Sequence, residues 1–326
     1  MKVLLTGATG YIGHQLALKL ADNDYEVNAL VRNLDSNKIP RHKNIIPFKG
    51  DICEYETIKN AIKNCDYVFH TAAFTNLRCN KIDSFYNINV VGTKNVLEAS
   101  LKGNVKKVIY TSSLSTYGKA LYKVPITEDQ PRISSFGNDY ELTKSMSEDI
   151  VSEYVKKGLS CTILSLTRVY GPGLKTFSNG VNALISKILK DKVLFVPAKL
   201  NIEANYVYIE DVLNAQLLAL ENGELGEKYI IGGENLDYDS LFKKIKNLSK
   251  SKIAIYKIDY DFIKNSIAFL NNINSIFGKS FLITPKVLDS LFTNRSASSQ
   301  KAISRLNYKS TPLNIGLEHT INHLSK

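Results

Sequence analysis

The sequence lacks the cysteine patterns of metal-bound or disulfide-rich proteins. Its four cysteines, Cys53, Cys65, Cys79 and Cys161, lie far apart in the chain. None belongs to a CxxC pair, and none has histidines at the spacing of a zinc site. We therefore expect no bound metal and interpret the four cysteines as reduced, structural thiols.

Long apolar runs are missing as well. The first run, Val3-Leu4-Leu5, ends at Gly7 and is too short for a signal-peptide core or a membrane span. The segment 261–277 carries enough apolar residues for a membrane-associated helix, but few basic residues accompany them. Packing against the smaller C-terminal lobe is therefore the preferred interpretation. The sequence predicts no membrane span and a cytoplasmic location.

Acidic residues are outnumbered, yet no nucleic-acid motif accompanies the excess of basic ones. Lys and Arg total 42, Asp and Glu total 31, and the formal net charge is +11. The lysines are scattered, and no basic run is interleaved with aromatic residues in a recognisable nucleic-acid-binding motif. We expect no nucleic-acid partner, and a diffuse basic surface could instead assist the capture of anionic cofactors.

Neither a linker nor a repeat divides the 326 residues. Short apolar strands alternate with helices through the first half of the chain, and one long helix is expected around 86–102. The predicted strands are 2–6, 26–32, 45–49, 67–70, 107–111 and 160–166. This alternation predicts an α/β fold with a doubly wound parallel sheet, the Rossmann architecture. After Gly171 the alternation is lost, and a helix at 212–221 and a strand at 228–231 are assigned to a smaller mixed lobe. We expect residues 1–170 to form the sheet domain. Residues 171–326 should form mainly a substrate lobe, interleaved with that domain and covering the carboxyl ends of the strands, where such sheets bind ligands.

A glycine-rich turn joins the first predicted strand to the first helix. It reads Thr6-Gly7-Ala8-Thr9-Gly10-Tyr11-Ile12-Gly13, a GxxGxxG spacing. Glycines permit a tight turn and close backbone approach to a pyrophosphate, and the helix N-terminus supplies N–H donors. The turn therefore predicts a dinucleotide site, and a glycine-rich turn without a ligand is the alternative. The residues assigned to the site are Gly7, Thr9, Gly10, Tyr11, Ile12 and Gly13.

Arg32 stands where the second strand ends. Dinucleotide-binding folds that prefer NAD usually carry an acidic residue there, which binds the ribose hydroxyls. A guanidinium would instead bind a 2′-phosphate, and Lys38 lies close enough in the sequence to assist. We therefore expect NADP to be preferred over NAD; the alternative is a solvent-exposed arginine on a loop.

Tyr140 and Lys144 have the spacing of an acid/base pair. A helix places residues four apart on one face, so the ammonium of Lys144 should lie near the phenol of Tyr140. That charge is expected to lower the pKa of the phenol towards working pH, as proton exchange with a carbonyl/alcohol pair requires. Ser113, at the end of an upstream strand, could hydrogen-bond the reacting oxygen and polarise it. The alternative is an ordinary Tyr/Lys pair on a helix surface.

Eight motifs follow one another along nearly the whole chain. They are TGATGYIG at 6–13, GDI at 50–52, HTAA at 70–73, NVVGTKNVLEA at 89–99, TSSLSTYG at 111–118, YELTK at 140–144, RVYGPG at 168–173 and YVYIEDV at 206–212. In this order they resemble the extended short-chain dehydrogenase/reductase family, also described as the NAD-dependent epimerase/dehydratase family. Within it, Val31-Arg32 and the C-terminal pattern 301–308 look more like the dihydroflavonol reductase branch than the sugar-nucleotide branch.

The resemblance implies a role for each matching residue. Tyr140 would be the general acid/base, Lys144 would hold the nicotinamide ribose and tune Tyr140, and Ser113 would orient the substrate carbonyl. Asn89 would brace the active-site strands, and His70 is interpreted as a core histidine. The remaining positions assigned to an NAD(P) cofactor are Asp51 and Ile52 at the adenine, Thr71, Ala72, Ala73 and Thr111 along the groove, and Thr167 and Val169 near the nicotinamide carboxamide.

The chain departs from the family pattern at two places. Ser165-Leu166 stands where many members have Arg-Pro. Arg168 puts a charge close to the expected active site, either to contact an anionic substrate or cofactor group or to form a structural salt bridge.

The resemblance leaves several functions open. The leading hypothesis is a reductase, in which hydride passes from the nicotinamide to a carbonyl carbon of a small molecule and Tyr140 donates the proton. In the alternative, a sugar-nucleotide epimerase or dehydratase, Tyr140 first removes a hydroxyl proton and the cofactor is regenerated. A third hypothesis is a dinucleotide-binding sensor or scaffold without chemistry, although such relatives usually lose the Tyr/Lys pair. A homodimer formed through helices 87–102 and 140–157 is an expectation that rests on the resemblance alone.

Overall fold

The computed structural model describes residues 1–326 except 78, 80, 177–178, 199–200, 277–283 and 326, with the side chains of 272–276 and 286 also outside the description. The strands of the described chain are β1 (Lys2–Thr6), β2 (Glu26–Val31), β3 (Ile45–Lys49), β4 (Tyr67–His70), β5 (Lys107–Ser113), β6 (Cys161–Leu166), β7 (Arg168–Tyr170), β8 (Val193–Pro197), β9 (Glu203–Tyr208), β10 (Lys228–Ile231), β11 (Glu234–Asp237) and β12 (Ala254–Ile258).

Helices connect most of these strands. They are α1 (Tyr11–Asp22), α2 (Tyr55–Ala61), α3 (Ile82–Phe85), α4 (Gly92–Lys102), α5 (Asp139–Lys156), α6 (Gly180–Lys190), α7 (Ile209–Asn222), α8 (Tyr238–Ser249), α9 (Tyr260–Ile276), α10 (Pro285–Leu291), α11 (Gln300–Leu306) and α12 (Leu313–Leu324). A π turn (Tyr86–Val91) joins α3 to α4, and a 3₁₀ turn (Leu114–Tyr117) follows β5.

Seven strands form one parallel sheet in the order β3-β2-β1-β4-β5-β6-β10. The chain runs outward from β1 to β3 and then crosses back to β4, so the strand order reverses beside β1. Helices α1, α7 and α11 cover one face, and α2, α4 and α5 cover the other. This arrangement confirms the predicted doubly wound sheet.

The covering of both faces explains the composition of the central strands. Val3, Leu4 and Leu5 of β1 are all fully buried, because successive side chains of a strand point to opposite faces and both faces are packed. Such strands are continuous apolar runs rather than alternating ones. They end at polar or small residues on the carboxyl edge of the sheet, where the candidate site lies.

A smaller lobe packs at that edge. It contains the mixed sheet β11-β9-β7 and the parallel pair β12-β8, with α6, α8 and α12 around them. The assignment of the helix at 212–221 and the strand at 228–231 to this lobe was wrong. The strand is β10, the edge of the large sheet beside β6, and the helix, within α7, packs on the face of that sheet. The parallel strands β6 and β10 are about sixty residues apart in the chain, so the local sequence around 228–231 does not indicate that they pair.

Helix α9 covers the apolar segment 261–277, except for Phe277, which lies outside the described residues. It packs against α10, yet Phe262 and Phe269 are 65% and 64% exposed. The expected packing is therefore one-sided. None of the described helices combines the length and apolar character that crossing a membrane would need.

Candidate active site

The glycine-rich turn is packed too tightly to accept side chains. Gly7 has φ +82°, and a Cβ there would lie 2.7 Å from the backbone nitrogen of Ala72, at the end of β4. A Cβ on Gly13 would lie 2.2 Å from the carbonyl oxygen of Gly7. Both contacts are closer than atoms can approach, so glycine is required where the turn meets the first turn of α1. At Gly10 the Cβ position meets only the Gly7 oxygen, at 3.1 Å.

The N-terminus of α1 leaves backbone donors available for an anion. Gly10 is the N-cap, no side chain caps this end among the described residues, and the His14 N–H is the donor that reaches back to the Gly10 carbonyl, at 3.0 Å. The N–H groups of the first turn therefore fit a pyrophosphate. The side chain of Tyr11 is not part of this face, because it is buried and its hydroxyl donates to the Gly171 carbonyl at 2.9 Å. Any contact by Tyr11 would come from its backbone.

The carboxyl ends of β2 and β3 hold the residues predicted at the adenosine end. Arg32 is exposed, and its charge acts on the thiol of Cys53, which places the guanidinium beside the turn that contains Asp51. One carboxylate oxygen of Asp51 accepts from the Cys53 N–H at 2.9 Å. Ile52 is buried so closely against Gly92 that a Cβ there would lie 2.6 Å from it. The three predicted residues thus lie at one end of the groove.

Small and hydroxylated residues line the middle of the groove. The Thr71 hydroxyl donates to the Thr6 carbonyl at 2.7 Å, and the Ala72 N–H donates to the Thr6 hydroxyl at 3.3 Å. Ala73 follows half-buried. The hydroxyl of Thr167 is buried without a partner in the described structure. An orphaned hydroxyl after β6 is the kind of group that a carboxamide would satisfy.

Ser113 is the last residue of β5, two residues further than the strand was expected to reach. Its side-chain oxygen accepts from the Ser115 N–H at 3.2 Å and lies 2.9 Å from the Ser115 hydroxyl, which fixes it at the start of the 3₁₀ turn. It also lies close enough to the phenol of Tyr140 to lower the pKa of that group. The sequence prediction that these two side chains meet is therefore supported by their placement.

Tyr140 lies in the first turn of α5 and is half-buried. Its pKa is raised above the ordinary value, because burial disfavours the phenolate, while the hydrogen bond with Ser113 and the charge of Arg295 only partly oppose this. The expectation that Lys144 lowers this pKa was wrong. The positive charge that acts on the phenol belongs to Arg295, 155 residues further along the chain.

Lys144 is 2% exposed and turned towards the sheet. Its Nζ donates to the hydroxyl of Tyr110 at 2.5 Å and to the carbonyl of Thr111 at 2.8 Å. Burial lowers its pKa to about 7, against the influence of the Glu148 carboxylate. Thr111, which was assigned to the groove, therefore contributes its carbonyl to Lys144, and its hydroxyl accepts from Gln216 at 2.9 Å.

Sequence reasoning missed an ion cluster beside Tyr140. Glu141 is 2% exposed and pairs with Arg132 at 2.8 Å and with Arg295 at 2.5 Å. Burial opposes its ionisation, but Arg295, Arg132 and the Gly137 N–H together hold its pKa below the usual value. The cluster links the start of α5 to the segments that contain Arg132 and Arg295. No local pattern in the sequence predicts these ion pairs.

Arg168 does not form the structural salt bridge that the sequence offered as one of two interpretations. Its guanidinium donates to the hydroxyl of Tyr238 and to the carbonyl of Leu291 at 2.7 Å, and no ion pair with a carboxylate occurs within the described ranges. Leu291 ends α10, where a positive charge is favourable. Arg168 thus holds α10 against the smaller lobe.

Asn89 links three segments around the site. Its side-chain oxygen accepts from the Phe74 N–H at 2.7 Å, and its amide donates to the Thr143 hydroxyl at 3.0 Å. Asn89 lies in the π turn, and Thr143 lies one residue before Lys144. The predicted bracing role of Asn89 agrees with these contacts. His70 is fully buried between Thr6 and Thr93, as a core histidine should be.

Comparison with known proteins gives a family match and relatives of more than one activity. A family model described as the NAD dependent epimerase/dehydratase family matches residues 3–232. A putative UDP-glucose 4-epimerase of Methanocaldococcus jannaschii is 30% identical over 256 residues, covering 75% of this chain and 81% of that protein. A putative dihydroflavonol 4-reductase of Synechocystis is 26% identical over 254 residues, covering 75% of this chain and 71% of that protein.

Solved structures agree on the fold. The UDP-glucose 4-epimerase of Thermotoga maritima superposes with a TM-score of 0.82 over 99% of this chain and 98% of that chain, at 23% identity. Likeness at that identity shows the architecture alone. Reductases and epimerases thus both stand among the similar proteins.

Proposed function

Because this chain belongs to the NAD-dependent epimerase/dehydratase family and is an enzyme of the extended short-chain dehydrogenase/reductase type, we propose that it reduces a carbonyl group of a small molecule. The observation that carries the proposal is the meeting of the Ser113 hydroxyl and the Tyr140 phenol at the carboxyl edge of the sheet. A hydrogen-bond donor and a proton donor side by side suit one carbonyl oxygen, whether of an aldehyde or a ketone.

The residues act on that oxygen in turn. The bound nicotinamide supplies the hydride. Ser113 donates a hydrogen bond to the carbonyl oxygen and polarises the bond, and Tyr140 gives its proton to the same oxygen as the carbonyl becomes an alcohol. Lys144 uses its remaining N–H to hold the ribose, which fixes the ring at the edge of the sheet.

Tyr140 starts the reaction of a reductase as a protonated phenol, which is the form of any phenol of ordinary pKa at neutral pH and the form that burial favours here. A sugar-nucleotide epimerase or dehydratase, the alternative, must first remove a hydroxyl proton and therefore needs the phenolate. Both use the same residues, and they differ in whether the cofactor is consumed or regenerated.

The test is the oxidation of NADPH, followed by absorbance, with a panel of aldehydes and ketones. Tyr140→Phe should lower kcat on any active substrate by about two to four orders of magnitude. Tyr154→Phe is the matched control, since Tyr154 lies on the same helix and its hydroxyl bonds Glu98 at 2.7 Å, away from the site. Equal kcat values for wild type and Tyr140→Phe would contradict both the reductase and the epimerase or dehydratase mechanism.

We further propose that NADP is preferred over NAD. The exposed guanidinium of Arg32, beside the turn of Asp51, supports this, with Lys38 also exposed nearby in the sequence. Arg32→Ala should raise the Kd of NADPH at least about tenfold, because a hydrogen bond to a charged group is lost, and leave that of NADH almost unchanged. Arg305→Ala, an exposed arginine paired with Glu224, is the control. Equal binding of both dinucleotides to wild type would contradict the preference.

Location and assembly are also proposals. We place the enzyme in the cytoplasm, and its four unpaired cysteines suit a reducing compartment.

We propose a homodimer built on α4 and α5, which pack side by side on one face of the sheet. Sedimentation equilibrium of the purified protein tests the assembly, and a monomer at every concentration would contradict it.

A further inference from the structure

The ammonium of Lys144 is held from the protein side by two acceptors. Its Nζ lies 2.5 Å from the hydroxyl oxygen of Tyr110 and 2.8 Å from the carbonyl oxygen of Thr111. An ammonium has three protons to donate. The two acceptors take two of them, so one is left for a ligand in the groove.

The surroundings of Tyr110 make its hydroxyl an acceptor for Lys144. An ammonium has only protons to donate, so the Tyr110 hydroxyl oxygen must accept from Lys144. The hydroxyls of Ser147 and Thr93 also lie close enough to the Tyr110 phenol to lower its pKa against the effect of burial. Burial also keeps Tyr110 protonated, because it raises the pKa of the phenol well above its ordinary value, so the acceptor is a neutral hydroxyl.

The charged form of Lys144 depends on these neutral acceptors. The acidic group whose charge reaches it is Glu148, one turn further along α5, and that carboxylate is already engaged by other side chains. His70 on β4 is neutral, because burial lowers its pKa to about 3. Tyr140, on the same helix, is protonated. Within the described residues no carboxylate contacts the ammonium, so losing the Tyr110 hydroxyl removes one of two direct acceptors.

We propose that Tyr110 is a positioning residue, whose hydroxyl fixes the Nζ of Lys144 and stabilises its protonated form. The inference rests on the proposed function only for the role of Lys144 in dinucleotide binding. The contact itself involves only residues of this chain, so it can be tested without any substrate.

The first test is an NMR titration of protein labelled with ¹³C at the ε-carbon of lysine. The Lys144 signal is identified by its absence in Lys144→Arg. In Tyr110→Phe the pKa of Lys144 should fall by about one unit or more, because the ammonium loses an acceptor while its burial is unchanged. Tyr154→Phe is the matched control, since both tyrosines are buried and only Tyr110 bonds Lys144. An unchanged pKa in Tyr110→Phe would overturn the proposal.

The second test is the pH dependence of dinucleotide affinity, measured by fluorescence. If the protonated lysine binds the ribose, a one-unit fall in its pKa from about 7 should weaken binding about tenfold at pH 8 and only about twofold at pH 6. A loss of packing alone would weaken binding equally at both pH values, and that result would also overturn the proposal.

A third variant covers the case in which Tyr110→Phe does not fold. Ser147→Ala removes a hydroxyl that acts on the Tyr110 phenol and leaves the tyrosine ring in place. It should shift the pKa of Lys144 in the same direction by a smaller amount, and an unchanged pKa there would count against the proposal. Failure of the carbonyl screen, by contrast, would leave these titrations unaffected.

Discussion

Glu141 places a negative charge in the interior beside Tyr140, and two arginines share it. Arg132 and Arg295 are only 15% and 14% exposed at their side chains. Glu141→Gln should lower the free energy of unfolding by about 3 kcal/mol, because both guanidiniums are left without their counter-charge. Urea unfolding at pH 7 measures the change.

The control for this prediction is an exposed pair. Glu56 bonds Lys59 at 3.2 Å on the surface of α2, and Glu56→Gln should change the stability little. If Glu141→Gln is as stable as Glu56→Gln, the cluster does not stabilise the start of α5 in the way that its geometry indicates.

His70 makes the free energy of unfolding depend on pH, in a direction that its pKa determines. Burial, with a contribution from Lys144, lowers its pKa from 6.5 to about 3. Between those values the unfolded chain binds a proton that the folded chain does not, so stability falls as pH falls. We expect this residue to cost about 1.4 kcal/mol per pH unit below pH 6, measured by urea unfolding at pH 6, 5.5 and 5.

The variant His70→Gln separates this effect from other titrations. In His70→Gln the free energy of unfolding should depend less on pH, whatever the substitution does to stability at pH 7. The control is His323→Gln, at the exposed end of α12, which should leave that dependence unchanged. If the free energy of unfolding of His70→Gln falls with pH as steeply as that of the wild type, another group is responsible.

At the scale of elements, the join between β1 and α1 is the most constrained part of the groove. In Gly13→Ala the new Cβ would overlap the Gly7 carbonyl, so the turn must move. The free energy of unfolding should fall by about 1–3 kcal/mol, and dinucleotide affinity should fall with it, because the N–H groups no longer converge. Gly180→Ala is the matched control, since its Cβ would meet nothing within 4 Å.

Elements with a local signal could be predicted, and those made by distant contacts could not. β1, β3 and β4 have the predicted bounds, since each is an apolar run closed by a polar or glycine-containing turn. The helix expected over 86–102 contains a π turn instead of a uniform start. Asn89 within that turn forms hydrogen bonds with Phe74 and Thr143, and the local sequence predicts neither of them.

For the whole molecule, the doubly wound sheet could be predicted because strand and helix patterns alternate regularly along the first half of the chain. The strand at 228–231 was predicted, but its position at the edge of the large sheet was not, because its parallel partner β6 lies far away in sequence. The candidate site shows the same division. Motif spacing located Ser113, Tyr140 and Lys144, but the charges around them come from Arg132 and Arg295, which only the fold brings to the start of α5.

The central claim is that this enzyme uses its dinucleotide as a consumed reductant. The most direct test is the cofactor content of freshly purified protein, by mass spectrometry of the denatured supernatant, followed by NADPH and NADH titration of the same preparation. We expect a preparation without retained cofactor that binds NADPH more tightly than NADH. Tightly retained NAD that added NADPH does not displace would contradict the claim and point to the epimerase or dehydratase, which regenerates its cofactor in every turnover.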